Sequence, residues 1–488
     1  MKTLDSYRLH ITPLSPIHIG TGESYEPTNY VIDDGILHEF DTGATVAALS
    51  ASERKNLLEI ANRKPNTEMI QALQRFFHEC REALMAHAVH HVPVLPGVDN
   101  LYAKRIGQTA NREADGKKVL NRLEIDRTGF NPVTRQPVLY GSSLKGAIRT
   151  ALLDKVNDGQ PARERKGLHE FQGRLFRYYD ENARPRMALE RDPMRLVQLA
   201  DATWRGEPGL PATQVHLAVN RKKAPVVDEK GMLRKSKADD LYQILECVSG
   251  WHYRAFSGQL NLQSVGGLAQ VHANKLPAAN LRFNAKQIAQ ACNRFYRPIL
   301  EAENRLLRER GYLDANWDEA LEKLLAAAQD KLHGGEAFLL RVGRHSGAES
   351  VTLNGVRNIK IMKGRGAQPE QLDAAKTVWL AANDKDQMNG LLPFGWLLVE
   401  LYPITEEAAD WPELKAACAP HLDKAHDLRE KLAQQRAWLE QAKVEAEARR
   451  REEQEKAQQA ALAEVLRQRE EAERQARLAT MSENMRRI

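Results

Sequence analysis

The sharpest chemical signal in the sequence is Leu139-Tyr140-Gly141-Ser142-Ser143-Leu144-Lys145-Gly146-Ala147-Ile148-Arg149. Val138 to Tyr140 reads as a short strand. Gly141 permits a tight turn, and Ser142 or Ser143 can cap a helix running from Leu144 to Val156. A helix start presents unpaired N–H groups at the positive end of its dipole, which suits an anion. Lys145 and Arg149 are four residues apart on one face and can close on the same phosphate or its neighbour. Gly146 costs helix stability unless something packs or approaches closely there. The same residues also describe a capped helix with two surface cations, and the physics of the residues weighs the two equally.

A second glycine turn lies late in the chain, in Arg341-Val342-Gly343-Arg344-His345-Ser346-Gly347 after the apolar run Ala337 to Leu340. Two glycines four apart suggest a loop whose N–H groups form an anion-binding nest. Arg341, Arg344, His345 and Ser346 are all capable partners for phosphate or a ribose 2′-hydroxyl. The Gly-Lys-Ser/Thr ending of a phosphate loop is missing, and so is the dinucleotide fingerprint. An ordinary strand connection fits the spacing as well. Lys360, Lys363 and Arg365, with Gly364 and Gly366, make a third basic turn.

Catalytic groups are sparse. His18, in Ser15-Pro16-Ile17-His18-Ile19-Gly20, and His345 are the candidates for a general base. A lone histidine at a strand end is more often a hydrogen-bonded structural residue. No acid partner, nucleophile pair or metal-ligand spacing stands out, and no cofactor or metal is expected. His90-His91 reads as a helix end complementing the dipole.

The elements that must position these turns alternate between strand and helix. Tyr7–Thr12 reads as a strand, and Tyr30–Ile32 with Ile36–Phe40 flank an Asp33-Asp34-Gly35 hairpin signal. Ala51 to about His91 is helical and broken near Pro65. Further strands are expected in 215–219 and 241–262, helices over Ala285–Arg310 and Trp317–Leu332, and strands at 337–342, 378–381 and 396–401. The pattern predicts an α+β fold. Two segments rich in charge and poor in hydrophobic period read as long basic loops: 101–127, with Lys104, Arg105, Arg112, Lys117, Lys118, Arg122 and Arg127, and 220–237, with Arg221, Lys222, Lys223, Lys230, Arg234, Lys235 and Lys237. From 421 to 488 there is no Pro or Gly, and Ala, Glu, Gln, Arg and Leu dominate. That text predicts a charged helix of about 60 residues, roughly 90 Å long. It is a solvated tail or a partner-binding helix, and no sustained heptad specifies a coiled coil.

At 488 residues, 42% hydrophobic and 28% charged, the chain has enough apolar material for an ordinary core. No stretch approaches the roughly 20 apolar residues of a spanning helix, so no membrane partner is expected. The start lacks the apolar segment of a secretory signal. The four cysteines are too scattered for a disulfide scaffold, and a cytoplasmic location is the natural expectation. A net charge of +6 is a weak pointer to a polyanionic partner.

Three of these segments together resemble the RAMP superfamily of CRISPR-associated proteins: Ser15–Gly20, Tyr140–Arg149 and the Gly343–Gly347 loop. Gly22-Glu23-Ser24-Tyr25-Glu26-Pro27-Thr28-Asn29-Tyr30 and Ile32-Asp33-Asp34 look like the subunit family that caps the guide 3′ end in type III-A Csm effector complexes, its fifth subunit. Asp192-Pro193 and Leu199–Ala202 resemble that family's middle strand, and Leu392–Trp396 its closing strand. The resemblance covers about residues 5–405. It implies two ferredoxin-like (RRM-like) RAMP domains with helical insertions: an N-terminal one over 1–265 and a C-terminal one over 266–410, followed by the 421–488 tail. It implies a non-catalytic subunit that binds the guide crRNA by backbone and shape, assists crRNA maturation in antiviral defence, and touches other Csm subunits, above all the backbone RAMP subunit. Target RNA and host nucleases are further partners in this expectation. By carry-over, Gly141, Ser142, Ser143, Lys145, Arg149, Arg341, Gly343, Arg344, His345, Ser346 and Gly347 become RNA contacts. Some relatives cleave repeat RNA without metal, and there His18 or His345 would be the base. The long tail departs from the family pattern.

Overall fold

The structure is a computed structural model. It describes residues 4–485 except 42, 44–45, 47–48, 113–117, 121–122, 162–166, 182–185, 228, 233, 235, 237–239, 266–274 and 362–367.

The Leu4–Pro13 strand is central to a seven-stranded sheet. It pairs antiparallel with Phe256–Gln263 on one side (Tyr7 opposite Leu260) and with Trp396–Pro403 on the other (Leu9 opposite Leu401). Ala337–Arg341 extends the sheet beyond the last of these, and Val197–Leu199, Ala202–Trp204 and Val138–Leu139 extend it beyond Phe256–Gln263. Two helices, Gly141–Asn157 and Ala285–Glu309, join these strands in the strand–helix–strand–strand–helix–strand order of a ferredoxin-like fold. Each buries an i, i+3, i+4, i+7 stripe in one core with Leu9 and Ile11: Leu144, Ala147, Ile148 and Ala151 in the first, Ile288, Ala291, Cys292 and Phe295 in the second. Asn284 and Gln287 form a reciprocal capping box that fixes the start of the second helix.

A six-stranded sheet runs in the order Gly20–Tyr25, Ile125–Thr128, Tyr242–Val248, Thr213–Lys222, Thr377–Ala382, Leu392–Pro393. The Pro96–Arg105 helix packs Val98, Leu101 and Tyr102 into the core beneath Val215, Leu217 and Val219. A third, three-stranded sheet is built from Tyr30–Asp33, Ile36–Phe40 and Ala88–Pro93. Its first turn puts Asp34 and Gly35 at positive φ, the geometry that a two-residue hairpin needs.

Several expectations are corrected here. A domain boundary at 265/266 would cut both large sheets, because each takes strands from both sides of it. The reason is topological: in the seven-stranded sheet Trp396–Pro403 returns to lie beside the first strand, and in the six-stranded sheet Thr377–Ala382 pairs with Thr213–Lys222. The helical stretch from Ala51 divides into Ala51–Ala61, Thr67–Glu79 and Arg81–Met85, with Pro65 between the first two, but His90 and His91 lie in a strand. The basic segments are not plain loops. The first holds a helix end and strands at Thr109–Arg112, Lys118–Leu120 and Ile125–Thr128, and the second opens inside the Thr213–Lys222 strand. Arg127 and Arg221 are buried, while Lys117, Arg122, Lys235 and Lys237 lie outside the described residues.

The C-terminal helix begins at Pro412 and runs to Met485, about 110 Å for its 74 residues. Its first third is not a free tail. Leu414, Cys418, Leu432 and Leu439 are buried, with Trp411 just ahead of it. His421 stacks on Trp251 at 4.6 Å, and Arg429, Lys431 and Gln435 bond Glu207, Asp34 and His38. The helix therefore straps the ferredoxin-like core to the three-stranded sheet. From Val444 onward every residue whose burial is described is exposed, and pairs such as Lys456–Glu452 at 2.7 Å line it.

Candidate nucleic-acid interface

The Gly141 corner forms where the Val138–Leu139 strand turns into the Gly141–Asn157 helix. A Cβ on Gly141 would lie 2.5 Å from the Leu199 carbonyl oxygen, so only glycine fits that crossing. Tyr140, extended, takes the cap position without a side-chain bond, so neither Ser142 nor Ser143 caps the helix. The helix start is also less bare than the sequence suggests. The Gly141 N–H donates to Asp201 Oδ1 at 2.7 Å, and the Ser143 and Leu144 N–H groups donate to the Tyr140 carbonyl. The Asp201 carboxylate thus holds the place expected for a phosphate.

Arg149 is committed as well. It donates twice to Asp192, at 2.9 and 3.1 Å, and to the Tyr178 hydroxyl at 2.9 Å, with its guanidinium over the Phe176 ring. Asp192 in turn caps the Pro193–Leu196 turn. Lys145, one helical turn before Arg149, has no hydrogen-bond or ion-pair partner among the described residues. Burial lowers its pKa, with Asp192 opposing and Arg149 adding to the shift. Ser142 and Gly146 are exposed, and a Cβ on Gly146 would meet nothing within 4 Å. Arg195 is exposed in the turn that Asp192 caps. What remains open is a small polar surface: Ser142, Lys145, Gly146 and Arg195.

The Gly343–Gly347 turn is different. Gly343, at φ +82°, passes so close to His18 that a Cβ would lie 2.3 Å from the His18 carbonyl oxygen, and the Arg344 N–H donates to that same oxygen at 2.7 Å. Arg341 is buried, bonded to Glu303 and the Phe394 carbonyl at 2.9 Å each, and lies over Trp396. Arg344, exposed, pairs with Asp126. His345, at φ +64°, stacks on Trp379 and meets Gln243 Oε1 at 3.0 Å. Burial pushes its pKa down to about 3. Ser346 is buried, and Gly347 is exposed at φ +76°. Lys360 lies in the Ile359–Ile361 strand, and Lys363, Gly364, Arg365 and Gly366 fall outside the described residues.

The partner of this turn is the Ser15–Gly20 segment, which carries the chain from the first sheet into the second. The Ser15 hydroxyl accepts from the Trp396 N–H, the Pro16 carbonyl from Gly395, and Ile17 exchanges two backbone bonds with Val248. His18 is 1% exposed, too buried for a base that must reach RNA. Its Nδ1 lies 2.8 Å from the Glu246 carbonyl, and burial lowers its pKa. Nearby, Arg127 bonds Glu39 at 2.8 Å and lies over Tyr25, while burial raises the Glu246 carboxyl to about 7. These residues form a seam between the sheets.

Of the predicted site residues, the structure keeps Ser142 and Lys145 open and commits Gly141, Arg149, Arg341, Gly343 and Ser346 to the fold. Sequence reasoning missed Asp192 and Asp201 as the carboxylates that occupy Arg149 and the helix start. Their appearance in the segments resembling the family's middle strand was the available signal. Among the described residues no cluster of three or more His, Cys, Asp or Glu could hold a metal ion. No described helix is long and apolar enough to cross a membrane.

A family model of the RAMP superfamily matches residues 10–345. Among solved structures, the chain is similar to a chain of a cryo-EM structure of a Csm–crRNA–target RNA ternary complex in a type III-A CRISPR-Cas system. Identity there is 17%, coverage 82% of this chain and 100% of that one, and the TM-score 0.49. It is also similar to T. onnurineus Csm5, at 16% identity, covering 80% of this chain and 99% of that one, with a TM-score of 0.45. No curated protein matches the chain. The match runs from the first strand through the Gly141–Arg149 motif and into the second glycine turn as far as His345, and the chain belongs to the RAMP superfamily.

Proposed function

We propose that this chain is an RNA-binding subunit of a type III-A CRISPR effector complex that caps the 3′ portion of the guide crRNA and assists its maturation without cleaving it. The reading rests on family membership and on the Tyr25-Glu26-Pro27-Thr28-Asn29 segment. The observation that carries it is the open corner: within the superfamily's Gly141–Arg149 motif, Lys145, without a hydrogen-bond or ion-pair partner among the described residues, lies beside an exposed Ser142 and an unobstructed Gly146. A cation next to bare backbone suits a sugar–phosphate chain that is held by shape and charge rather than read base by base.

The alternative, metal-independent cleavage, needs a histidine within reach of a ribose hydroxyl. His18 is enclosed in the seam, and His345 is packed between Trp379 and Phe394. Guide content and length in the purified complex test the reading. Lys145→Glu should lower guide retention or shorten the protected 3′ end, with assembly intact. Guides of unaltered amount and length would refute this assignment. Isolated chain that yields 2′,3′-cyclic phosphate ends from labelled repeat RNA in chelator, lost on His18→Ala, would establish the enzyme instead.

A further inference from the structure

We infer that the cavity between the three-stranded sheet and the C-terminal helix is a receptor for the terminal phosphate group of a small molecule. The inference stands apart from the guide-binding reading and uses none of the residues of the open corner. The cavity, of about 610 Å³, is of the size that holds small ligands. Four stretches enclose it: the Ala88–Pro93 strand, the turn at 133–137, the segment 209–213 and the C-terminal helix over 432–440.

A hydrogen-bond relay sets one wall to donate. The Gln435 amide nitrogen, 3.2 Å from His38 Nε2, can only donate, so that ring nitrogen accepts. His38 then carries its proton on Nδ1, which donates to His91 Nδ1 at 2.9 Å. The proton of His91 is left on Nε2. His91 lines the cavity, and that N–H has no hydrogen-bond partner among the described residues. Burial, helped by His91, lowers the pKa of His38 to about 3, and burial, helped by Arg436, lowers that of His91 to about 4. Both rings are therefore neutral at pH 7, and the relay holds. Positive charge is in excess around them. Arg127 and Arg135 share one buried carboxylate, Glu39, at 2.8 and 3.4 Å. Arg135 lines the cavity from a backbone at φ +58°, a conformation that long side chains seldom adopt. Arg436 faces it from the helix, exposed and without a hydrogen-bond or ion-pair partner among the described residues. Glu440, the sole carboxylate among the described lining residues, is exposed and makes no ion pair with Arg436. An oxyanion that accepts from His91 Nε2–H and from the two guanidiniums supplies the missing charge, and the fork of an arginine matches phosphate geometry. Donors from three elements favour a terminal phosphate, with three free oxygens and a charge of about −2, over a phosphodiester inside a strand, with two oxygens and a single charge.

Calorimetric titration of the full-length protein with pyrophosphate, at fixed ionic strength, tests the receptor. A single saturable site is expected. Arg436→Gln, at an exposed position, should weaken binding roughly tenfold, the effect of one lost charge-assisted hydrogen bond. Arg449→Gln, the same charge change on the exposed stretch of the same helix, should leave the affinity as it was. Absence of saturable binding, or equal losses in the two variants, would overturn the inference. Displacement of bound pyrophosphate by single-stranded RNA without terminal phosphates would overturn it as well, because the cavity would then take phosphodiesters of a strand. Guide retention in Lys145→Glu is a separate readout, so failure of this receptor and failure of the guide-binding reading are told apart.

Discussion

The two glycine turns look alike in sequence, and both corner glycines, Gly141 and Gly343, pack against the protein's own backbone; the contrast between the turns lies at Gly146. Both follow an apolar strand, both carry two glycines, and both are flanked by cations. At Gly343 the neighbours are backbone: the His18 carbonyl lies where a Cβ would go, and Arg341 is spent on Glu303. At Gly146 there is open space, and Lys145 nearby has no hydrogen-bond or ion-pair partner among the described residues. A glycine leaves room either for the protein's own chain or for a ligand's. Only the surroundings tell the two apart.

Substituting each glycine by alanine exposes that contrast. Gly343→Ala combines a left-handed backbone with direct overlap on a carbonyl, and it should destabilise the fold by about 2–5 kcal/mol. Denaturant unfolding measures it. A loss below about 1 kcal/mol would mean the seam yields and the turn is less fixed than its geometry implies.

Acid should act on the seam and not on the open corner, which contains no histidine. His18 and His345 are held neutral by burial, as is the 8% exposed His216, whose pKa falls to about 4. In the unfolded chain each takes up a proton below about 6.5. Stability should therefore be full above that value and fall as the pH drops from 6.5 toward 4, by up to about 1.4 kcal/mol per pH unit for each fully buried histidine. Glu246, raised to about 7, opposes this between its unfolded value and 7, because its folded form holds the proton more tightly. His345→Phe, which keeps the stacking on Trp379, should flatten the urea-midpoint slope between pH 7 and 5. An unchanged slope would mean His345 titrates alike in both states.

The mildest substitution is the most discriminating. Gly146→Ala should stabilise the helix by about 0.5–1 kcal/mol, yet it places a methyl where an RNA backbone would pass. Higher stability with weaker guide retention supports the open corner as a contact. Higher stability with unchanged retention removes it.

Much of the fold was legible because its signals are local. The Asp34-Gly35 turn, the helix expected from Ala285 and the interruption at Pro65 each depend on residues within a few positions. The site was legible only in part, because what occupies each cation is remote. Arg149 is taken by Asp192, Arg341 by Glu303 and the Gly141 N–H by Asp201, pairings that only the folded topology creates. Arg127 and Arg221 read as loop charges and are buried in strands, because charge density outweighed the short apolar alternation around them. The docking of the C-terminal helix escaped notice for a different reason: its anchors Leu414, Cys418, Leu432 and Leu439 keep heptad spacing, but His421 and Gln435 interrupt the apolar seam between them.

Photo-crosslinking of RNA to the assembled, guide-bearing complex, with the crosslinked peptides mapped by mass spectrometry, tests the central claim most directly. Crosslinks at Ser142, Lys145 or Gly146 with none at Gly343–Ser346 are the predicted result. Crosslinks confined to Gly343–Ser346, with Ser142–Gly146 unmarked, would contradict it.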